Sequence, residues 1–264
     1  MKVKARDIIS EMENMAPKYL KEDYDNVGLM VGTSEKEVTK VLLALDCTQE
    51  TIREAKENNV DMMITHHPLM FRKASSVVNE DLQGSKIIEL IKSDISLYSS
   101  HTNLDIVNDG INDQIVKVLG FEKGEVIQRC KIKGYEESGV GRLVTLDYFI
   151  RIEDLINKVK KALKIENIRV AAGKREIKKI AIINGSGQDY FKEAFIQGAD
   201  CIITGDTTYH FVSDYKEMGI SILDPGHFNT EWVAFLAAMK KIEDKFNTIE
   251  FIHSTLSKDP YLFY

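Results

Sequence analysis

The chain has 264 residues, 44% hydrophobic and 29% charged, which is ordinary for a globular protein of one large or two modest domains. Its net charge of -6 argues against nucleic acid and anionic membranes, which call for a basic surface, and favours small-molecule or protein ligands. Three cysteines without a CxxC motif indicate neither a disulfide framework nor a thiolate zinc site. With no apolar signal segment at the N-terminus, the composition predicts a cytoplasmic protein that is neither secreted nor membrane-embedded.

The first half of the chain alternates strands and a helix. The run VLLALD (41–46) is typical of a strand buried on both faces, and TQETIREAKENN (48–59) has apolar residues at helical spacing. The run VDMMIT (60–65) predicts a second strand. A strand, a helix and a strand in this order predict a βαβ unit, in which the strands are parallel and the crossover is right-handed.

This pattern is repeated later in the chain. A shift of 139 positions (204 − 65 = 139) places Thr65 on Thr204 and aligns six identical residues of the two segments without a gap. A second pair, ISLYSSHTNLD (95–105) and ISILDPGHFNTE (220–231), consists in each case of a predicted strand followed by His-x-Asn-x-acid. We therefore expect an α/β fold with two similar βαβ-containing lobes, residues 1–125 and 126–264, that arose by internal duplication. Generic βαβ units also resemble one another, which is the alternative explanation.

Histidines and carboxylates follow the predicted strands. In parallel sheets, functional groups gather beyond the carboxyl ends of the strands, so we expect a site there, between the two lobes. Imidazole and carboxylate together suit zinc, manganese, iron or nickel, and a cluster of this size suits two ions. The residues at these strand ends are His66, His67, His101, Asp105, Asp206, His227 and Glu231.

The spacing of these residues adds geometric expectations. Adjacent side chains that leave a strand point to opposite sides, so His66 and His67 are expected to serve one ion each. Pro68 lacks a backbone donor and is expected to end strand pairing there. His227 and Glu231 lie four positions apart and share a face if a helix begins at that point.

The segments DNVGLMVG (25–32), ITHHP, HTNLD, NGSG, ITGD and GHFNTE, in this order, resemble the Nif-three-like dinuclear metal-centre proteins, also called GTP cyclohydrolase I type 2 homologs. The resemblance covers essentially the whole chain, which has no room for the domain inserted in longer members and so resembles their compact form. It implies a toroidal homohexamer with metal sites that face an internal cavity. It also implies that two divalent ions are bound, with Glu231 as the bridge, by His66, His67, Asp105, His227 and Glu231.

Four further residues are candidates with open alternatives. The repeat predicts His101 as a metal ligand, whereas the resemblance leaves it to orient a ligand or to contact substrate. Asp206 is a candidate for orienting a histidine or a water, or for capping the helix that follows. Asn26 is a candidate for substrate binding because the segment DNVG (25–28) could line a pocket, and Ser186 is one because the NGSG turn precedes a helix whose N–H groups could bind phosphate. Simple turns explain both positions equally well.

Two functions from different classes fit these patterns. The first is a metal-dependent hydrolase that acts on a nucleotide, a pterin or a phosphoester, with His101 or Asp206 transferring protons. The second is a protein that binds and delivers a metal or cofactor without turnover. Neither a G-x-S-x-G elbow nor an HExxH motif is present, so serine hydrolase and zinc protease chemistry are not indicated.

Overall fold

The computed structural model describes residues 2–72 and 74–263, which form two compact units. The first unit comprises Met1–Val107 and Met239–Lys258, and the second comprises Asn108–Ala238 and Asp259–Tyr264. In chain order, the elements are α1 (Ala5–Met15), β1 (Gly28–Val31), β2 (Lys40–Ala44), α2 (Gln49–Glu57), β3 (Met62–Thr65), α3 (Leu82–Lys92), β4 (Ser96–Ser99), α4 (Thr102–Ile106), α5 (Ile111–Val118), β5 (Glu125–Arg129), β6 (Gly139–Arg151), α6 (Ile152–Leu163), β7 (Arg169–Ala171), β8 (Glu176–Ser186), α7 (Phe191–Ile196), β9 (Cys201–Gly205), α8 (Tyr209–Glu217), β10 (Ser221–Asp224), α9 (His227–Lys245) and β11 (Glu250–His253).

The first unit contains a five-stranded sheet in the order β1-β4-β3-β2-β11. Strands β2, β3 and β4 are parallel neighbours, β11 is parallel to β2, and β1 is antiparallel to β4. All residues of β3 and β4 are buried, as expected for central parallel strands covered on both faces. Helix α2 begins after Thr48, whose hydroxyl accepts a hydrogen bond from the Thr51 N–H. The predicted βαβ unit over residues 41–65 is therefore confirmed.

The second unit contains a six-stranded sheet in the order β5-β6-β8-β9-β10-β7. Strands β8, β9 and β10 are parallel, and β7 is antiparallel to β10. The order β7-β10-β9-β8 thus matches β1-β4-β3-β2 of the first sheet in both chain order and strand direction. The predicted α/β class with two similar βαβ-containing parts is confirmed by this shared four-strand arrangement.

The division into units differs from the predicted boundary at residue 125. Helix α5 and the strand β5 belong to the second unit, in which α5 packs against β8 and β5 pairs with β6. The segment 239–258 belongs to the first unit, because β11 pairs with β2 from Glu250 opposite Lys40 to His253 opposite Leu43. Periodicity along the chain gives no information on pairing between strands so distant in sequence. The pairing of β11 with β2 was therefore not predicted.

Each unit has its own apolar core. The first core includes Leu42 of β2, Ile52 of α2, Met63 of β3 and Leu97 of β4, all at most 2% exposed. The second core comes from the matching elements, with Ile183 of β8, Phe191 of α7, Ile202 of β9 and Ile222 of β10. Burial of such side chains is the main favourable contribution to folding. No helix in the described part of the chain combines the length and apolarity that crossing a bilayer requires.

Glu54 of α2 provides a test of how the first unit is stabilised. Its buried carboxylate accepts hydrogen bonds from the Ser254 hydroxyl and from the N–H and hydroxyl of Thr255, at 2.8 and 2.7 Å for the latter two. Burial raises the pKa of Glu54, but these hydrogen bonds outweigh it and leave the pKa below its usual value. The ionised form therefore stabilises the fold at neutral pH.

We expect Glu54→Gln to lower the free energy of unfolding at pH 7 by about 1.5–3 kcal/mol, the range for hydrogen bonds to a charged group. A carboxyl with a lowered folded-state pKa contributes stability above its unfolded pKa of about 4.3, and this is lost as pH falls through the folded-state pKa. The difference from the wild type should therefore shrink below about pH 4. Urea denaturation of both proteins at several pH values measures this difference in the free energy of unfolding. Glu57→Gln, at an exposed position of the same helix, should behave as the wild type; an equal effect of both variants would contradict this account.

Candidate metal centre

The histidines of the first unit lie where two parallel strands end. Strands β3 and β4 are neighbours with Thr65 opposite Ser99, so the residues that follow them leave the same edge of the sheet. His66 and His67 follow β3 directly, and His101 comes two residues after β4. Their backbones are fixed there, because the Ser100 N–H donates to the Thr65 carbonyl at 3.0 Å.

The imidazoles of His66, His67 and His101 form a cluster. Ring centroids are separated by 5.0 Å for His66–His67, 5.0 Å for His66–His101 and 5.4 Å for His67–His101. One ligand atom from each of the three lies within 4.8 Å of the others. The alternation expected to separate His66 from His67 applies only within a strand, and β3 ends at Thr65. Three imidazoles at these distances can bind a divalent ion.

Each of these rings is held through the same nitrogen. The acceptors of the Nδ1 hydrogens are the Ser100 carbonyl for His66 at 2.9 Å, Asp46 Oδ1 for His67 at 2.8 Å and Asp25 Oδ1 for His101 at 2.9 Å. A carbonyl or an ionised carboxylate only accepts hydrogen bonds, so Nδ1 carries a hydrogen in each of the three rings. This arrangement, with one ring nitrogen held by an oxygen and the other left for the metal, is usual for histidine ligands.

Asp105 belongs to the same group of side chains. Helix α4 begins after His101 and places Asp105 on its first turn. One carboxylate oxygen of Asp105 lies 3.9 Å from His66 Nε2, the ring nitrogen that is not held by the Ser100 carbonyl. The first unit therefore combines imidazole and carboxylate donors, as the ligand chemistry of the predicted ions requires.

Asp25 fixes the position of His101. Its buried carboxylate accepts from the Thr102 N–H at 3.1 Å and from the Thr102 hydroxyl, in addition to His101. Burial raises the pKa of Asp25, but the hydrogen bonds from His101 and Thr102 dominate and hold it well below its usual range. Asp25 is thus ionised at neutral pH. The structure places His101 within the histidine cluster, where it is equally suited to bind metal and to hold a proton.

The second unit presents a histidine and a carboxylate on one helix turn. Helix α9 begins at His227, and its Nε2 lies 2.8 Å from Glu231 Oε2 four residues later. The other ring nitrogen, Nδ1, donates to Asp206 Oδ2 at 2.7 Å. Asp206 thus contacts the ring of a histidine, and orienting that histidine is one of the roles predicted for it. The pair His227–Asp206 repeats the arrangement of His67 and Asp46 in the first unit.

The NGSG turn makes room for Glu231. Gly185 has a positive φ of 59°, and a Cβ atom there would lie 2.0 Å from Glu231 Oε1. The Gly185 N–H donates to the Thr230 hydroxyl at 3.0 Å, and the Gly187 N–H donates to the Thr204 hydroxyl at 2.8 Å. These two N–H groups are therefore engaged within the protein rather than directed to a phosphate. Ser186, between them, is exposed at the end of β8.

Asn26 has a structural partner. Its side-chain amide donates to the Met70 carbonyl at 2.7 Å and thereby joins the segment before β1 to the segment after the histidine pair. The neighbouring Asp25, which holds His101, is the more direct contributor to the site. Asp46 was also absent from the predicted residues, although its place at the end of the predicted strand VLLALD is the same signal that identified the histidines.

We expect Asp46→Asn to weaken metal binding about 10–100-fold, as is typical when a residue that orients a histidine ligand is altered. An asparagine can present its N–H₂ group or its carbonyl to Nδ1, so the tautomer of His67 is no longer fixed. Competition with a chromophoric chelator measures the affinity. Asp61→Asn is the matched control, since this carboxylate accepts from Thr39 at the other end of the first sheet. It should lower stability without changing metal affinity, and unchanged affinity in Asp46→Asn would contradict the orienting role.

Comparisons with known proteins place these residues in a family. The chain is 52% identical to a GTP cyclohydrolase 1 type 2 homolog of Clostridium perfringens, over 99% of this chain and 100% of the relative. It is 46% identical to a GTP cyclohydrolase 1 type 2 homolog of Clostridium acetobutylicum, over 100% of both. Among solved structures, hypothetical protein SA1388 of Staphylococcus aureus matches with a TM-score of 0.91 and 31% identity, over 100% of both chains. The sequence model of Duf34/NIF3 (NGG1p interacting factor 3) matches residues 3–260, and the chain therefore belongs to the Duf34/NIF3 family.

Proposed function

We propose that the protein binds two divalent metal ions and is a metal-dependent hydrolase of a nucleotide, a pterin or a phosphoester-like small molecule. The proposed ligands are His66, His67, Asp105, His227 and Glu231, with Glu231 as the bridge. Zinc, manganese, iron and nickel all suit this set of imidazoles and carboxylates. The proposal extends the family membership, which by itself establishes no activity.

The observation that carries the proposal is the common orientation of four imidazoles. His66, His67 and His101 each donate Nδ1–H to an oxygen, and His227 does the same toward Asp206. Histidines that serve only to pack a core do not require matching tautomers at the ends of parallel strands. In metal centres a histidine ligand is usually held in this way, with one ring nitrogen donating to an oxygen.

The names of the relatives support a hydrolytic reaction. Two relatives at 52% and 46% identity are called GTP cyclohydrolase 1 type 2 homologs, and a cyclohydrolase adds water to a heterocycle. Bound divalent ions supply Lewis acidity and lower the pKa of water to near neutrality. His101, held by Asp25, is proposed to transfer protons during the reaction, a role that histidine side chains commonly have in catalysis.

We also propose, from the family resemblance, that the protein is a cytoplasmic homohexamer and that its two units arose by duplication. The matching strand orders β7-β10-β9-β8 and β1-β4-β3-β2 support the duplication. Light scattering in solution should give six chain masses. A single chain mass would contradict the hexamer.

The function is tested with metal-loaded and chelator-treated protein assayed side by side on nucleotides, pterins and phosphoesters. We expect turnover of at least one class that is lost on chelation and restored by added metal. Tight metal binding without turnover across the whole panel would contradict the hydrolase and favour a protein that delivers metal or cofactor. Elemental analysis of the same samples gives the number of ions per chain.

A further inference from the structure

The second unit contains a cavity whose lining includes none of the proposed metal ligands. It has a volume of about 380 Å³, within the range of small-molecule sites, and lies between strand β7, helix α8 and strand β10. Val170, Val212 and Ile222 provide its apolar lining. Its polar lining includes Arg169, Thr207, Tyr209, Ser213, Lys216 and Asp224.

The only carboxylate in this lining is fully engaged. Asp224 is 4% exposed, and its Oδ1 accepts from the Gly226 N–H at 3.0 Å. Its Oδ2 accepts from the Thr207 N–H at 3.2 Å, the Thr207 hydroxyl at 2.6 Å and the Arg169 guanidinium. Four donors match the acceptor capacity of a carboxylate, so Asp224 has no lone pair left for N–H groups of a ligand.

The remaining polar groups of the cavity are hydrogen-bond donors. Arg169 uses only Nη2 for Asp224 and Thr207, and its side chain is 63% exposed. Within residues 2–72 and 74–263, no acceptor lies within hydrogen-bond distance of Lys216 Nζ or of the Ser213 hydroxyl. With Arg169 offset by Asp224, Lys216 leaves the lining with a net charge of +1. A donor-rich cavity of this charge selects an anion with several acceptor oxygens.

The cavity is connected to the candidate metal ligands of its unit. Thr207 directly follows Asp206, which holds His227, and Asp224 lies three residues before His227. The hydrogen bonds between Thr207 and Asp224 join these two segments at the carboxyl ends of β9 and β10. Crevices outside the carboxyl ends of strands are where open α/β sheets bind ligands.

We propose that this cavity binds the phosphate group of a small phosphorylated molecule with an aromatic ring, of the size of a mononucleotide. The phosphate oxygens accept from Lys216, Ser213 and the outer N–H groups of Arg169. The ring lies on Tyr209, whose side chain lines the cavity and is 80% exposed. The identification of this molecule as the substrate rests on the proposed function, whereas its binding does not.

Isothermal titration of chelator-treated protein tests the site without any contribution from metal. We expect GMP to bind at least tenfold more tightly than guanosine, because only GMP offers the phosphate. Lys216→Gln should weaken GMP binding about tenfold or more, the effect of losing one charge-assisted hydrogen bond. Lys192→Gln, which removes an exposed lysine of α7 outside the cavity, should bind GMP as the wild type does.

Tyr209→Ala gives an independent readout. It should leave the affinity for inorganic phosphate unchanged and reduce the advantage of GMP over phosphate, since stacking contributes only to the ring. Equal affinity of GMP and guanosine, or wild-type affinity in Lys216→Gln with native circular dichroism, would overturn the proposal. Because the titration is made without metal, GMP binding by a protein whose metal-loaded form shows no turnover would contradict only the proposed reaction.

Discussion

His66→Ala is expected to remove at least one metal ion per chain and to lower metal-dependent turnover at least 100-fold. This exceeds the 10–100-fold typical of residues that only orient a ligand. His66 is fully buried, and its Nδ1 is held by the Ser100 carbonyl, so the ring is fixed in one orientation. Elemental analysis and assays of the purified variant measure both effects.

The variant also leaves the Ser100 carbonyl without its imidazole donor, which costs about 1–3 kcal/mol of stability. His253→Ala is the control that separates the loss of a metal ligand from the general effect of removing a histidine. His253 donates to Glu243 at 2.6 Å within the first unit and is about half exposed. This control should keep its full metal content and turnover. A His66→Ala protein with wild-type ion content would show that His66 is not a ligand.

Gly185→Ala is expected to have the second large effect, although glycine itself offers no ligand. The new methyl group would lie 2.0 Å from Glu231 Oε1 and 2.9 Å from its Cδ, far inside van der Waals contact. Because Gly185 lies near the carboxyl end of β8 with φ of 59°, a change of backbone conformation there would break its hydrogen bond to Thr230. Glu231 must move instead, and we expect the ion that it binds to be lost.

The matched control for this change is Gly219→Ala. Gly219 also has a positive φ, of 89°, but a Cβ atom there meets nothing within 4 Å. It should therefore lose about 1–2 kcal/mol of stability from backbone strain alone and keep its metal content. If Gly185→Ala binds as much metal as Gly219→Ala, the position of Glu231 is not important for the site.

Much of this arrangement follows from local patterns in the sequence. The strands predicted over 41–46 and 60–65 are β2 and β3, because runs of buried apolar residues between polar turns leave few other possibilities. The spacing of His227 and Glu231 predicts a shared helix face, and α9 begins at His227. The histidines themselves were identified by their place at strand ends, which depends only on the recognition of the strands.

The hydrogen bonds that orient the imidazoles could not be predicted in this way. His101 is held by Asp25, 76 residues earlier in the chain, and His67 by Asp46, 21 residues earlier. Such pairs depend on which loops meet at the sheet edge, a property of strand order rather than of periodicity. The role of Gly185 could not be predicted for the same reason, because it depends on the close approach of Glu231 to this position in the folded protein.

Anomalous diffraction from crystals of native protein, recorded at the absorption edges of zinc, manganese, iron and nickel, would locate and identify the proposed ions. We expect two anomalous peaks per chain, coordinated by the Nε2 atoms of His66, His67 and His227 and by the carboxylates of Asp105 and Glu231. Every bound imidazole should keep its Nδ1 hydrogen bond. A site without anomalous density in metal-supplemented crystals, or ions coordinated through Nδ1, would contradict the proposed metal centre.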